Sequence, residues 1–145
     1  MAGYTVIELV TILAIIAITA LAISPVIGAS LSDSKARGAA EQVAGALRLA
    51  RANAIATAAT YRVTLSPGTI AIACANDCPA SRPPDTTEPV ATGATLIPPD
   101  NPINFSPKGA ASPAGTVTVR YQDATVWIVT VTPNGRVRTC KSSCR

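Results

Sequence analysis

The chain has 145 residues, a formal net charge of +4 and no histidine. Without an imidazole every His-dependent triad or general base is excluded. No paired-carboxylate or phosphate-cradling glycine pattern is present either, so neither an enzyme nor a cofactor is expected. Hydrophobic residues make up 48% of the chain and aromatic ones only 3% (Tyr4, Tyr61, Phe105, Tyr121 and Trp127), so a core must be built from Val, Ile, Leu and Ala. A chain of this length carries one small domain.

From Leu9 to Ser32 no charged side chain occurs, which is enough helix to cross the hydrocarbon core of a bilayer. Glu8 stands at the start of this run. A carboxylate in lipid is costly unless paired, so Glu8 calls for a partner or an exit from the membrane. Pro25 removes one backbone hydrogen bond and favours a kink, and Gly28 loosens the same turn.

The segment GYTVIELVTILAIIAITALAISP resembles the prepilin signature of type IV pilins and type II secretion pseudopilins. The resemblance implies peptidase cleavage after Gly3, a methylated mature N-terminus at Tyr4, Glu8 as the family's glutamate and Pro25 as its helix-kinking proline. Tyr4 stands where Phe is usual, and the short leader Met1–Gly3 lacks the Lys or Arg that family leaders carry. Packed in parallel in a filament core, the α-amino group of one subunit would sit against Glu8 of its neighbour and neutralise two charges there. The expected layout is a leader over 1–3, a transmembrane or filament-core helix over 4–32, and a globular domain over 33–145. Implied partners are the prepilin peptidase, the inner membrane before assembly, and other major and minor pilins afterwards. The destination is an extracellular pilus or a periplasmic pseudopilus.

Beyond the anchor, Asp33, Lys35, Arg37 and Glu41 mark where the helix meets water. Val43, Leu47, Ala50 and Ala54 recur at amphipathic spacing, which predicts a helix over 33–59 packed on a core. Arg48 and Arg51 read as solvated helix charge. Strands follow over 61–140. Tyr61–Leu65 and Thr69–Cys74 pair around Ser66-Pro67-Gly68. Residues 76–101 read as a long Pro-rich loop with one short strand at Ala94–Ile97, its acids Asp77, Asp85, Glu88 and Asp100 serving solubility. Ile103–Phe105 is a further short strand. Thr116–Tyr121 and Thr125–Val131 form the clearest hairpin, and Pro133-Asn134-Gly135 turns the chain into a last strand, Arg136–Cys140. The class is α+β; a ladle with a long N-terminal helix packed on an antiparallel β-sheet domain is what the pilin resemblance implies.

Within pilins, Asn104-Phe105-Ser106-Pro107-Lys108-Gly109, a hairpin, and then Asn134-Gly135-Arg136-Val137-Arg138 resemble the GspH/FimT group of minor pilins. The Gly-Arg-x-Arg run is similar to the motif with which FimT-type minor pilins bind DNA in natural transformation, and the matched positions are Gly135, Arg136 and Arg138. Charge supports the same reading independently. The last twelve residues hold Arg136, Arg138, Lys141 and Arg145 with no acid, a charge equal to that of the whole chain. In an extended strand Arg136 and Arg138 point the same way about 7 Å apart, and two guanidinium forks on one face suit the phosphates of double-stranded DNA. The tail has no aromatic for base stacking, so backbone contacts are expected. The alternative for the tail is a solvated basic edge strand that blocks sheet-to-sheet aggregation. At the level of function, the alternative is a structural minor pilin or secretion pseudopilin that primes filament assembly.

Cys74, Cys78, Cys140 and Cys144 are an even set in a chain that looks exported, so disulfides are the default. Three connectivities are possible; local pairs are preferred over cross-bridges, and a four-thiolate zinc site is the rival. A Cys140–Cys144 bridge is expected to hold Lys141 and Arg145 beside the arginine pair.

Overall fold

The structure is a computed structural model that describes residues 5–122 and 125–144, with the side chains of 20–29 and Thr125 left aside. The expected features at Gly3, Tyr4 and Arg145 lie outside the described residues, as does the side chain of Pro25. One long helix, α1 (Val6–Thr57), is followed by nine strands. The chain divides into two compact units, residues 1–32 and 33–145.

The first unit is helical from Val6. Thr5 C=O accepts the N–H groups of Glu8 and Leu9 at 3.1 and 3.3 Å. The Thr5-x-x-Glu8 spacing is that of a capping box, and an acid in the first turn complements the helix dipole. Thr11 and Thr19 turn their hydroxyls onto carbonyls one turn back, which satisfies both groups without water. The described apolar side chains of this unit face outward, Val6 and Ile7 being 79% and 76% exposed. Among the described residues no helix is long and apolar enough to cross a membrane; the span expected over 4–32 includes 20–29, whose side chains are not described.

The second unit has its own core. Ala39, Ala40, Val43, Leu47, Ala50 and Ala54 of α1 are fully buried and belong to the same apolar cluster as the strand residues below. The helix ends where Ala58 turns left-handed (φ 52°) and Ala59 N–H bonds back to Ala54 C=O at 3.2 Å. That is a C-cap closure, so capping geometry rather than the β-branched residues sets the boundary.

The strands are antiparallel, as expected, and form two sheets. The first has the order β3-β2-β1-β5-β6 and the second β4-β7-β8-β9. In chain order they are β1 (Thr60–Ser66), β2 (Thr69–Asn76), β3 (Thr86–Pro89), β4 (Ala94–Ile97), β5 (Ile103–Phe105), β6 (Ala111–Ser112), β7 (Gly115–Tyr121), β8 (Thr125–Val131) and β9 (Val137–Lys141). Tyr61, Val63, Ile103 and Phe105 of the first sheet and Val117, Val119, Val129 and Val131 of the second face the same core.

The stretch 76–101 holds a second strand, β3, paired on β2 from Ile72↔Thr86 to Thr69↔Pro89. Its proline ends an edge strand, the place in a sheet that tolerates one. Asp85 is more than a solubility residue, since it accepts Arg82 Nη1–H at 2.7 Å and Cys74 N–H at 3.1 Å. Both disulfides are local, Cys74–Cys78 and Cys140–Cys144. That occupies the four thiolates a zinc site would have used.

Candidate functional site

The C-terminal hairpin turns at Thr132–Arg136. Gly135 N–H donates to Thr132 C=O at 2.8 Å, and Thr132 N–H donates to Arg136 C=O at 3.0 Å. With Gly135 at φ +75°, this is a type I turn followed by a left-handed glycine bulge, a common three-residue hairpin connection. Pro133 presets the first turn position. Arg136 N–H also donates to Thr132 Oγ1 at 3.2 Å, while the Thr132 hydroxyl donates to Asn134 Oδ1.

Gly135 is required for a second reason. A Cβ at this position would run into the Gly109 carbonyl oxygen and lie 2.8 Å from Arg51 Nε. Arg51 donates Nε–H to Gly109 C=O at 3.0 Å and Nη2–H to Asn134 C=O at 3.3 Å. Ala111 N–H adds a bond to Pro133 C=O at 2.9 Å. The guanidinium thus ties α1 to the 106–110 loop and to the turn that precedes Arg136. Arg51 is therefore half-buried and structural, which corrects its reading as solvated charge. Arg48 does stay exposed, 3.7 Å from Glu41, a surface pair of little energetic weight.

The register of β9 on β8 sorts the tail charges. Val137 and Thr139 lie opposite Val131 and Val129, and Lys141 lies opposite Trp127. Val131 and Val129 are buried, so this parity faces the core. Arg138 lies opposite Thr130 and Cys140 opposite Ile128 on the outward parity, which Arg136 extends through its bond with Thr132. Arg136 and Arg138 are both exposed. Among the described residues neither side chain is in an ion pair.

Lys141 departs from the expected patch. Its Nζ lies 3.0 Å from Asp33 Oδ1, which also accepts Trp127 Nε1–H at 3.0 Å. The hydrogen bond from Lys141, then that from Trp127, hold the Asp33 carboxyl below its ordinary value. Arg37 stacks over the Trp127 ring at 5.8 Å and Lys35 over Tyr121 at 5.5 Å. Lys141 thus belongs to a collar on α1, because a residue at odd spacing from Arg136 and Arg138 emerges on the other face of the strand. Nothing in the periodicity marked Asp33, Trp127 or Arg51 as partners; each contact joins segments far apart in sequence.

The arrangement can hold an anion at Arg136 and Arg138. Among the described residues no group of three or more His, Cys, Asp or Glu is placed to hold a metal ion.

A helix whose C-terminal half packs on two antiparallel sheets is the type IV pilin-like fold. The structure matches the type IV minor pilin FimU of Pseudomonas aeruginosa with a TM-score of 0.60 at 16% identity, covering 75% of this chain and 90% of that one. It matches the minor pseudopilin EpsH of the Vibrio cholerae type 2 secretion system with a TM-score of 0.59 at 16% identity, covering 74% of this chain and 97% of that one. At such identities the likeness is one of fold. No curated protein matches the chain in sequence. Residues 39–135 match the family model described as Type II transport protein GspH, and the chain belongs to the GspH family. That match stops at Gly135, before the two arginines.

Proposed function

We propose that the chain is a minor type IV pilin that binds extracellular double-stranded DNA through Arg136 and Arg138 for uptake in natural transformation. The observation that carries this reading is the pair of exposed guanidinium groups on one outward strand face, about 7 Å apart by strand rise, presented by a turn locked through Arg51 and Gly109. Such groups grip phosphate oxygens without reading bases, and the affinity they give falls steeply with salt. The Gly-Arg-x-Arg likeness to FimT-type minor pilins supports the same role.

The outward apolar side chains of Val6–Thr19 and Glu8 in the first turn of the helix support insertion first into the inner membrane and then, after cleavage by the prepilin peptidase, into a filament beside other pilins. That surface equally supports a second reading, a structural minor pilin or secretion pseudopilin that primes assembly. Replacing Arg136 and Arg138 together by Gln separates the two. Under the first reading DNA retardation and transformation are lost while the pilin still enters filaments. Unchanged retardation at physiological salt, with incorporation still sensitive to Glu8→Ala, returns the second.

A further inference from the structure

We propose that the duplex-facing surface is the outward face of the whole four-stranded sheet, with Arg120 of β7 as a further phosphate-binding residue. The inference rests on the DNA-binding reading and extends it from the tail to a sheet face.

Register places Arg120 on that face. Val119 and Val117 pair with Leu96 and Val129 as buried residues of the inward parity. Arg120, between Thr95 on β4 and Val126 on β8, therefore projects outward on the same side as Arg138 and its partner Thr130. Arg120 is exposed and, among the described residues, makes no ion pair.

The surroundings favour one kind of occupant. Strands β4, β7, β8 and β9 contain no Asp or Glu, whereas β3 of the other sheet carries Glu88. The cations Arg120, Arg136 and Arg138 thus stand on a face whose strands supply no internal counter-charge. Register sets Thr95 beside Arg120 and Thr130 beside Arg138, short hydroxyls of the kind that bond phosphate oxygens, with Val126 and Ile128 between them on the same face. From Arg120 to Arg138 the path crosses two strand spacings and runs four residues along the strands, about 17 Å in all. That is a separation able to straddle a DNA groove about 12 Å wide. The Arg136–Arg138 pair would hold one backbone and Arg120 the other. Lys141 is left out, since it lies on the core side of β9 with Asp33.

The test uses the full chain in neutral detergent, a short DNA duplex and binding measured across a salt series. Arg120→Gln is expected to lower the steepness of log K against log salt by about 0.9 and to weaken binding about fivefold at fixed salt. Arg120→Lys restores the slope. Arg62→Gln, on the outer face of the other sheet, leaves it unchanged. An unaltered slope in Arg120→Gln, or an equal loss in Arg62→Gln, overturns the inference. If DNA binding is lost in the Arg136, Arg138 double variant but indifferent to Arg120, the sheet-face inference falls alone. If the unsubstituted chain does not bind DNA, the functional proposal falls with it. Fluorescence of Trp127 matching the parent confirms that each variant is folded.

Discussion

The two faces of the C-terminal strand segment 136–141 carry charge of the same sign and do different things with it. Outward, Arg136 and Arg138 meet solvent and, among the described residues, stand in no ion pair. Inward, Lys141 pairs with Asp33 on α1. A count of charges along the tail finds four equivalent cations, whereas strand parity divides the described ones by face. Where a basic segment is a strand, alternate residues are available to a partner and the rest answer to the core.

The largest effect should come from the residue on which both faces depend. In Gly135→Ala the new Cβ meets the Gly109 carbonyl while the backbone stays left-handed. The expected cost is about 2–4 kcal/mol, from strain plus a forced shift of the 106–110 loop. Chemical denaturation measures it, and a loss under about 1 kcal/mol would show that the turn is not held against Gly109. Gly135 in the Gly-Arg-x-Arg run is thereby a packing residue first and a presenter of arginines second.

Arg51 offers a finer separation. Its fork spans two carbonyls, so Arg51→Gln should cost about 1.5 kcal/mol, a typical figure for hydrogen bonds from a charged donor. Arg51→Lys should recover little of it, since an ammonium lacks the planar fork. Both variants loosen the turn before Arg136 without removing a phosphate contact. DNA affinity should therefore fall a few-fold while the salt slope stays that of the parent. A slope reduced by about 0.9 would instead make Arg51 a contact in its own right.

The local periodicities were legible in the sequence because they depend on neighbours along the chain. The Val43, Leu47, Ala50, Ala54 stripe, the hairpin around Pro67-Gly68, the pairing of Thr116–Tyr121 with Thr125–Val131, and the Pro-Asn-Gly turn are set by residues a few positions apart. What lay beyond reach were contacts between distant segments: Arg51 with Gly109 and Asn134, and Asp33 with Trp127 and Lys141. The same limit hid β3, a short Pro-ended edge strand whose pairing on β2 supplies what its own sequence does not. The partition of the strands into two sheets is likewise a property of long-range pairing. For the candidate site, the arginine pair could be read from spacing alone. The removal of Lys141 from it could not, because that required knowing which parity β8 buries.

The smallest expected effect is also the sharpest check on the division between the two faces. Asp33 has its folded pKa lowered from 3.8, first by the hydrogen bond from Lys141 and then by that from Trp127. A depressed carboxylate stabilises the fold fully above its unfolded value and loses that contribution as pH falls through the folded one. Emission from Trp127, the chain's one tryptophan, should hold steady from neutral pH down to 3.8 and change below it. Asp33→Asn should remove that step. Lys141→Gln takes away the leading cause of the lowering, so the step should move up toward 3.8. Across a salt series at neutral pH the same variant should bind DNA with the parent slope, because its charge was already committed to Asp33. A slope smaller by about 0.9 would mean that Lys141 leaves Asp33 for a phosphate, and the inward and outward faces of β9 would then act as one basic surface.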